Sequence, residues 1–314
     1  MMGGQGPVPL PEFLRKFRLA SVKHRCDGDL RSGHEDPYLV PPRLELPLMS
    51  ESWTTRFPTL DVTRDGPILR VWLNRPDSLN PLDTATLDGL ANVFTAVNTD
   101  FSVRAVVLGG HGRAFSAGAD RKNPPKSERL SANSGATERE RRHASQIGRR
   151  ACQAIIDCEV PTIARLHGWV IGGGLAIAGA CDFRIAASST TFSIPEVDLG
   201  IPLAWGATPR LIAEIGAAKA RELILMCDRF DAAEAYRLGL VHRTVDHADL
   251  DAAVDDWARR LSEKAEIAVH EVKTAFRAYS RMAALGDVTE TDGDLMVQAS
   301  RMPTAKAAFP RMNP

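Results

Sequence analysis

Two glycine-rich segments of this sequence carry backbone groups that could do chemistry. Residues 115–120 read Phe-Ser-Ala-Gly-Ala-Asp, and residues 172–174 are three consecutive glycines. Each segment comes after an apolar run typical of a buried strand, and small residues let a ligand approach the backbone. The triple glycine also opens an alanine-rich segment predicted to be helical, so its N–H groups would lie unpaired at the positive end of the helix dipole. Two converging N–H donors are what a developing oxyanion needs.

Glycine-rich turns also bind nucleotides, so the glycine spacing has to be compared with nucleotide motifs. The dinucleotide pattern G-x-G-x-x-G is absent both after Gly110 and at the triple glycine, and no G-x-x-x-x-G-K-[ST] occurs. Nucleotide binding of either type is therefore disfavoured. For one segment taken alone, a tight turn with close helix–strand packing remains the alternative.

The composition is that of an ordinary globular protein. The 314 residues are 44% hydrophobic and 25% charged, with a formal net charge of zero. This balance gives no reason to expect nucleic acid or an anionic membrane as a partner. The five cysteines form no Cys-x-x-Cys pair, and their odd number favours free thiols in a reducing, cytoplasmic setting. No spacing of His, Cys and carboxylates is typical of a metal site.

The chain divides into three parts by composition. Residues 1–48 are rich in Pro and Gly and lack lasting periodicity, which predicts a disordered leader, with Met49 as a candidate natural start. Residues 49–245 alternate strand-like apolar runs with helical periodicity, as expected for an α/β core with mostly parallel strands. From Ala217 onward the pattern is almost all helical, and residues 246–314 are predicted to be a separate helical region.

Within the core, several elements are placed by their patterns. A helix is expected over residues 83–97, capped by Asp83 or Thr84, and a second, alanine-rich helix after the triple glycine. Strands are expected at residues 68–73, 105–108, 160–166, 183–186 and 191–193.

Five ordered motifs together carry a resemblance to a known family. They are residues 73–82, 115–120, 167–174, 181–186 and 192–200. In order and spacing they resemble the crotonase (enoyl-CoA hydratase/isomerase) family, from about residue 58 to near the C-terminus. The resemblance implies an α/β fold, a crotonase-like spiral of ββα turns with a C-terminal helical trimerisation region, often paired into hexamers. It also implies an acyl-CoA thioester as partner and no further cofactor, since CoA arrives with the substrate.

The resemblance also assigns candidate site residues by motif position. It implies that the N–H groups of Ala117 and Gly173 form an oxyanion hole for the thioester carbonyl, with Gly172 beside them. It implies CoA binding near the Asn80 loop and along the next segment, which includes Ala119, Asp120 and Lys122. A structural role is the alternative for Asp120.

The acid–base residues depart from the arrangement of the family's hydratases, which generally present two glutamates. The position two residues past the triple glycine is Ala176, whereas the Pro-Glu motif supplies Glu196. Adding water requires both a base and an acid, and such assistance is typically worth about 10² to 10⁴ in rate. A double-bond shift from position 3 to position 2 needs a single proton carrier. Glu196 with Ala176 therefore favours a 3-enoyl-CoA to 2-enoyl-CoA isomerase.

Other interpretations stay open. One is a 2-enoyl-CoA hydratase that works with the single glutamate, or with a replacement acid from the loop that carries Glu128, Glu138 and Glu140. Another is a non-catalytic acyl-CoA-binding subunit. A dienoyl isomerase is disfavoured because residues 202–206 contain no acid. Phe276, in the C-terminal helices, is either a wall of the acyl pocket across a trimer interface or ordinary core.

Overall fold

A six-stranded sheet is the centre of the part of the chain that the computed structural model describes, residues 57–125, 135–283 and 292–302. The strands lie in the order β1-β2-β3-β4-β6-β9, and every pair is parallel except β1 with β2. The bounds are β1 Leu60–Asp65, β2 Ile68–Leu73, β3 Ala105–Gly110, β4 Thr162–Leu166, β6 Phe183–Ala187 and β9 Arg243–Val245. The predicted leader and Glu128 lie outside the described residues.

A second, smaller sheet contains β5 (Trp169–Ile171), β7 (Thr191–Ser193) and β8 (Phe230–Asp231). β5 pairs parallel with β7, which pairs antiparallel with β8. The chain leaves a strand of the large sheet and enters one of the small sheet almost at once, as in β4 to β5 and β6 to β7. A helix then returns it to the large sheet, and this repeat is the predicted spiral of ββα turns.

Ten α-helices pack around the two sheets in the described residues. They are α1 Thr84–Val97, α2 Glu138–Ser145, α3 Ile147–Ile156, α4 Gly173–Ala178, α5 Ala207–Ile215, α6 Ala217–Met226, α7 Ala232–Arg237, α8 Leu250–Ser262, α9 Glu266–Ala283 and α10 Asp292–Ser300. The Asp83 side chain caps α1 by accepting from the Thr86 N–H at 2.8 Å. This confirms the first of the two predicted caps.

The large sheet is buried on both faces, which explains why its central strands are continuously apolar. Leu69, Val71 and Leu73 of β2 belong to the main core, which α1 and α3 cover. The alternate positions face α8, where Val107, Ile163 and Ile185 meet Leu250 and Val254. The helix α8 is therefore a layer on the main sheet, and the start of the region predicted to be separate contributes to the core.

The predicted strands and the helix over residues 83–97 are confirmed, but the structure also contains four strands that the sequence does not predict. β1 and β5 were not anticipated, because β1 is half exposed and β5 has three residues. The span from Ala217 onward also contains β8 and β9, which are two and three residues long. Such short strands form by pairing with a distant neighbour, so a local pattern does not mark them.

Candidate active site

The two glycine-rich segments lie side by side in the structure. Ser116 forms a parallel bridge with Val170, in which the Ser116 N–H donates to Trp169 O at 3.0 Å and the Ile171 N–H donates to Ser116 O at 3.1 Å. β5 then continues directly into the triple glycine. The pairing of two short extended segments thus brings together groups that are more than fifty residues apart.

The prediction that the Ala117 N–H serves as an oxyanion donor is wrong, because this group donates to Leu79 O at 2.9 Å. The Leu82 N–H donates to Gly118 O, and the Asp120 N–H donates to Leu82 O. The N–H of Ala119, between these two groups, therefore points to the opposite side, where β5 and the triple glycine lie. It has no acceptor among the described residues, and Ala119 is exposed. Ala119 is the donor that the geometry supports in this segment.

Gly173 supplies the second N–H. It is the first residue of α4, and its N–H has no acceptor in the described part of the chain, as expected in the first turn of a helix. A Cβ built on Gly118 would lie 3.6 Å from Gly173 N, so the donor segments are in close contact. The N–H of Gly172 is engaged instead with Ser193 O at 2.9 Å.

Glu196 directs its carboxylate onto the triple glycine. The turn that follows β7 carries it, and this turn is fixed by the N–H groups of Leu199 and Ile201, which both donate to Glu196 O at 3.0 Å. A Cβ built on Gly172 would lie 2.5 Å from Glu196 Oε1. Gly172 also has φ +52°, so only glycine suits this position for both reasons.

The carboxyl group of Glu196 is buried and incompletely bonded. Its Oε2 has no hydrogen-bond partner among the described residues. Burial raises the pKa of Glu196 to about 7, against a smaller lowering by its own backbone N–H. A carboxyl group with a pKa near neutrality exchanges protons readily in both directions, as a proton carrier requires.

No second carboxylate stands at position 176. Ala176 is buried on α4, and its carbonyl accepts from Cys152 Sγ at 3.6 Å. Two acids of the neighbouring loop, Glu138 and Glu140, are candidates to replace this carboxylate. Both are exposed in the first turn of α2, where Glu140 closes a capping box with Thr137. Glu140 therefore has a structural role at the helix start.

Asn80 is a buried residue that shapes the loop next to the donors. Its Nδ2 donates to the carbonyls of His111 and Ala114, each at 2.8 Å, and its Oδ1 accepts from the Arg75 N–H at 2.9 Å. The side chain is 1% exposed. A direct contact between the Asn80 side chain and CoA is therefore not supported.

Asp120 is likewise engaged within the protein. Its carboxylate accepts from Arg75 Nη1 at 2.7 Å and from the N–H groups of Lys122 and Asn123 at 2.9 Å. Burial would raise the pKa of Asp120, but the hydrogen bonds from Asn123, Arg75 and Lys122 outweigh it and the pKa is lowered. These contacts support the structural alternative for Asp120.

Lys122 and Phe276, two further residues predicted to contact the substrate, are exposed in this chain. Lys122 follows the donor segment, and its ammonium group makes no ion pair within the described residues. Phe276 lies on α9 and is 69% exposed. The alternative that Phe276 belongs to the core of the subunit is therefore wrong.

Trp205 is a site residue that the sequence alone did not reveal. Its backbone has φ +61°, which is uncommon for a bulky residue, and its ring lies against Gly173. The carbonyl of Trp205 accepts from Arg210 Nη2 at 2.9 Å. A tryptophan inside an otherwise small-residue stretch, Ala204 to Ala207, was the available signal.

The part of the chain that the structure describes shows neither a metal-binding cluster nor a membrane-spanning helix. No three His, Cys, Asp or Glu side chains are grouped so that they could hold a metal ion. None of the described helices is long and apolar enough to cross a membrane.

Known proteins resemble this chain in sequence and in fold. The sequence profile of the enoyl-CoA hydratase/isomerase family matches residues 63–307. The crotonyl-CoA hydratase of Syntrophomonas wolfei is 35% identical over 206 residues, 65% of this chain and 76% of that protein. The short-chain-enoyl-CoA hydratase of Clostridium acetobutylicum is 34% identical, over 68% of this chain and 78% of the relative. A crystal structure of an enoyl-CoA hydratase from Mycobacterium avium subsp. paratuberculosis is similar with a TM-score of 0.71 and 27% identity, covering 80% of this chain and 98% of that one.

The fold and the paired backbone donors thus define an acyl-CoA enzyme with a crotonase fold. The chain belongs to the enoyl-CoA hydratase/isomerase family.

Proposed function

We propose that this enzyme shifts the double bond of a 3-enoyl-CoA to position 2, with Glu196 as the single proton carrier. The observation that carries the proposal is the Glu196 carboxyl group, which is buried, has an unbonded Oε2 and lies on Gly172 beside the free Gly173 N–H. Ala176 leaves the site without the second carboxylate of a two-glutamate hydratase.

The proposed reaction moves one proton. The ionised Glu196 takes a proton from C2, and the electron pair delocalises onto the thioester oxygen. The N–H groups of Ala119 and Gly173 stabilise that oxyanion, where each donor is typically worth about 10² to 10³ in rate. Glu196 then returns the proton to C4, which leaves the double bond between C2 and C3 and regenerates the carboxylate.

Binding of the CoA portion is assigned to the exposed surface beside the donor segment. Lys122 lies two residues beyond Asp120, whose carboxylate holds the turn in place. A lysine ammonium group is a suitable partner for phosphate. Asn80 and Asp120 hold the loops of this surface in place through their hydrogen bonds, and we assign them no contact with CoA.

A second candidate function is hydration of a 2-enoyl-CoA with Glu196 alone. The specific support for it is the naming of the relatives at 34% and 35% identity, which are hydratases. The third interpretation, a non-catalytic acyl-CoA-binding subunit, does not explain why Glu196 is buried with its Oε2 unbonded.

The deciding experiment is a turnover panel of 3-enoyl, 2-enoyl and dienoyl thioesters of several chain lengths, with the wild type and Glu196→Gln. We expect faster isomerisation than hydration, and loss of both in the variant. Hydration that exceeds isomerisation would establish the second candidate instead. Tight acyl-CoA binding without turnover, unaffected by Glu196→Gln, would establish the binding subunit.

A further inference from the structure

The ring of Trp205 occupies the space beside the oxyanion glycine. A Cβ built on Gly173 would collide with Trp205 Cζ3, and a Cβ built on Gly148 of α3 would collide with Trp205 Cε2. The indole is therefore held between two glycines, and a side chain at either position would collide with it. The backbone of Trp205 has φ +61°, a conformation that a bulky residue adopts only where its surroundings impose it.

The loop of Trp205 is fixed to the helix that carries the oxyanion donor. Arg210 Nη2 donates to Trp205 O at 2.9 Å and to Ala176 O at 3.3 Å, so one nitrogen joins the loop to α4. On the other side, the Gly206 N–H donates to Asp292 Oδ2 at 2.7 Å. Hydrogen bonds with two side chains, Arg210 and Asp292, thus hold the backbone that carries the indole.

Ala176 lies on the same face of α4 as Gly173, because residues three apart in a helix are neighbours on its surface. The side chain of Ala176 is buried, and the residue is 1% exposed. A glutamate at this position would extend its carboxylate toward the volume that the indole fills.

We propose that Trp205 determines specificity by filling the space beside Gly173 and Ala176 that a second carboxylate and a water molecule would need. Hydration adds the oxygen of water to C3 and a proton to C2, so it requires water at the reacting carbons. The double-bond shift moves one proton from C2 to C4 and consumes no water. An indole in this space therefore selects the shift, and this inference rests on the proposed function.

The first test is a cycle of Ala176→Glu, Trp205→Gly and the double variant, assayed for hydration of 2-butenoyl-CoA. Glycine is chosen at position 205 because it adopts φ +61° without strain. We expect the double variant to exceed both single variants in kcat/KM by about tenfold or more, within the range of general acid–base assistance. An Ala176→Glu variant as active as the double variant would overturn the proposal.

The second test is the ratio of isomerisation to hydration, which does not depend on the folded fraction. Trp205→Phe, which keeps an aromatic ring, should retain the wild-type ratio, and Trp205→Gly should lower it about tenfold. Trp72→Ala is the matched control, because the Trp72 ring also lies on a glycine, Gly109, but on the α8 face of the large sheet. An equal change of the ratio in the control would contradict the proposal.

A third test is independent of turnover, so it separates this inference from the proposed function. Ala176→Gln introduces the shape of glutamate without its charge. We expect it to lower the unfolding midpoint by about 3 °C more in the wild type than in Trp205→Gly. Equal effects in the two backgrounds would show that the indole does not occupy this space, whatever reaction the enzyme catalyses.

Discussion

Glu196 Oε1 lies over the Cα of Gly172, at a position only 2.5 Å from where a Cβ of residue 172 would stand. The carboxylate can lie beside Gly173, whose N–H is a proposed oxyanion donor, only because residue 172 has no side chain. One glycine thus links Glu196, the proposed proton carrier on the turn after β7, to the helix that carries the Gly173 N–H.

Gly172→Ala should lower kcat/KM by about 10²-fold, because the new methyl group displaces the Glu196 carboxylate and a misplacement of about 1 Å can cost that much. Steady-state kinetics with a 3-enoyl-CoA measures the effect. Gly66→Ala is the matched control, since Gly66 has φ +56° and nothing within 4 Å of its Cβ position. Both variants should lose about 1 kcal/mol of stability from the positive φ, but the control should keep its activity.

The carboxyl group of Glu196 should make stability depend on pH. Its pKa is about 7 in the folded protein, against an ordinary value of 4.5, so the folded state binds the proton more tightly than the unfolded state. This tighter binding contributes on the order of 3 kcal/mol to the free energy of unfolding. The contribution is complete below pH 4.5 and is lost as the pH rises through 7. The free energy of unfolding should be measured in urea at pH 5 and pH 8. Relative to the wild type, Glu196→Gln should be more stable at pH 8 than at pH 5. A constant difference between the two proteins would contradict the raised pKa.

The same group should control the rate. Because the ionised form of Glu196 takes the proton from C2, kcat/KM of the wild type should rise with pH and level off above about pH 7. If kcat/KM instead rose around pH 4.5, the Glu196 carboxyl group would have its ordinary pKa, and the raised value would be contradicted.

Proline substitution distinguishes the two alanines of the donor segment. Ala119→Pro should lower kcat/KM by about 10² to 10³, because it removes the N–H that is assigned to the oxyanion. Ala117→Pro should instead lower the free energy of unfolding by about 1 kcal/mol or more, because it removes the bond to Leu79 O. Thermal unfolding and turnover of both variants separate the effects. Normal turnover in a folded Ala119→Pro variant would show that the Ala119 N–H is not an oxyanion donor.

Lys122→Ala should raise KM for CoA thioesters about three- to tenfold and leave kcat unchanged, as expected for a contact made equally in ground state and transition state. A pantetheine thioester, which lacks the nucleotide, should be insensitive to the change. Lys219→Ala is the control, since Lys219 is paired with Glu222 on α6. An equal effect in both variants would indicate a general loss of positive charge.

Phe276→Asp should weaken the assembly of subunits. Val272, Phe276 and Tyr279 are exposed at spacings of four and three on α9, and together they form an apolar stripe on one face of the helix. Sedimentation velocity should give a trimer or hexamer for the wild type and a smaller species for the variant. Phe101→Asp, at a comparably exposed phenylalanine in the turn before β3, should leave the assembly unchanged. A monomeric wild type would refute the proposed trimer.

The order of the motifs and the periodicity of the longer elements could be predicted from the sequence. Helix α1 was located because Leu87, Leu90 and Phe94 repeat at helical spacing after a capping aspartate. The large sheet followed from apolar runs that are buried on both faces. Short strands such as β5 and β9 could not be located, since three residues carry too little local preference and are stabilised by pairing with distant segments.

The sequence by itself determined the family, the Glu196 carboxylate, the absence of an acid at Ala176 and the Gly173 donor at the start of a helix. Only the tertiary structure decided which alanine presents its N–H, because the direction of an N–H depends on strand pairing, here with Leu79 and Leu82. It also decided that Trp205 stands beside Gly173, since that contact joins a loop to two helices from earlier parts of the chain. Residue types fix the available chemistry, but the direction of backbone groups and the filling of space depend on contacts between distant segments.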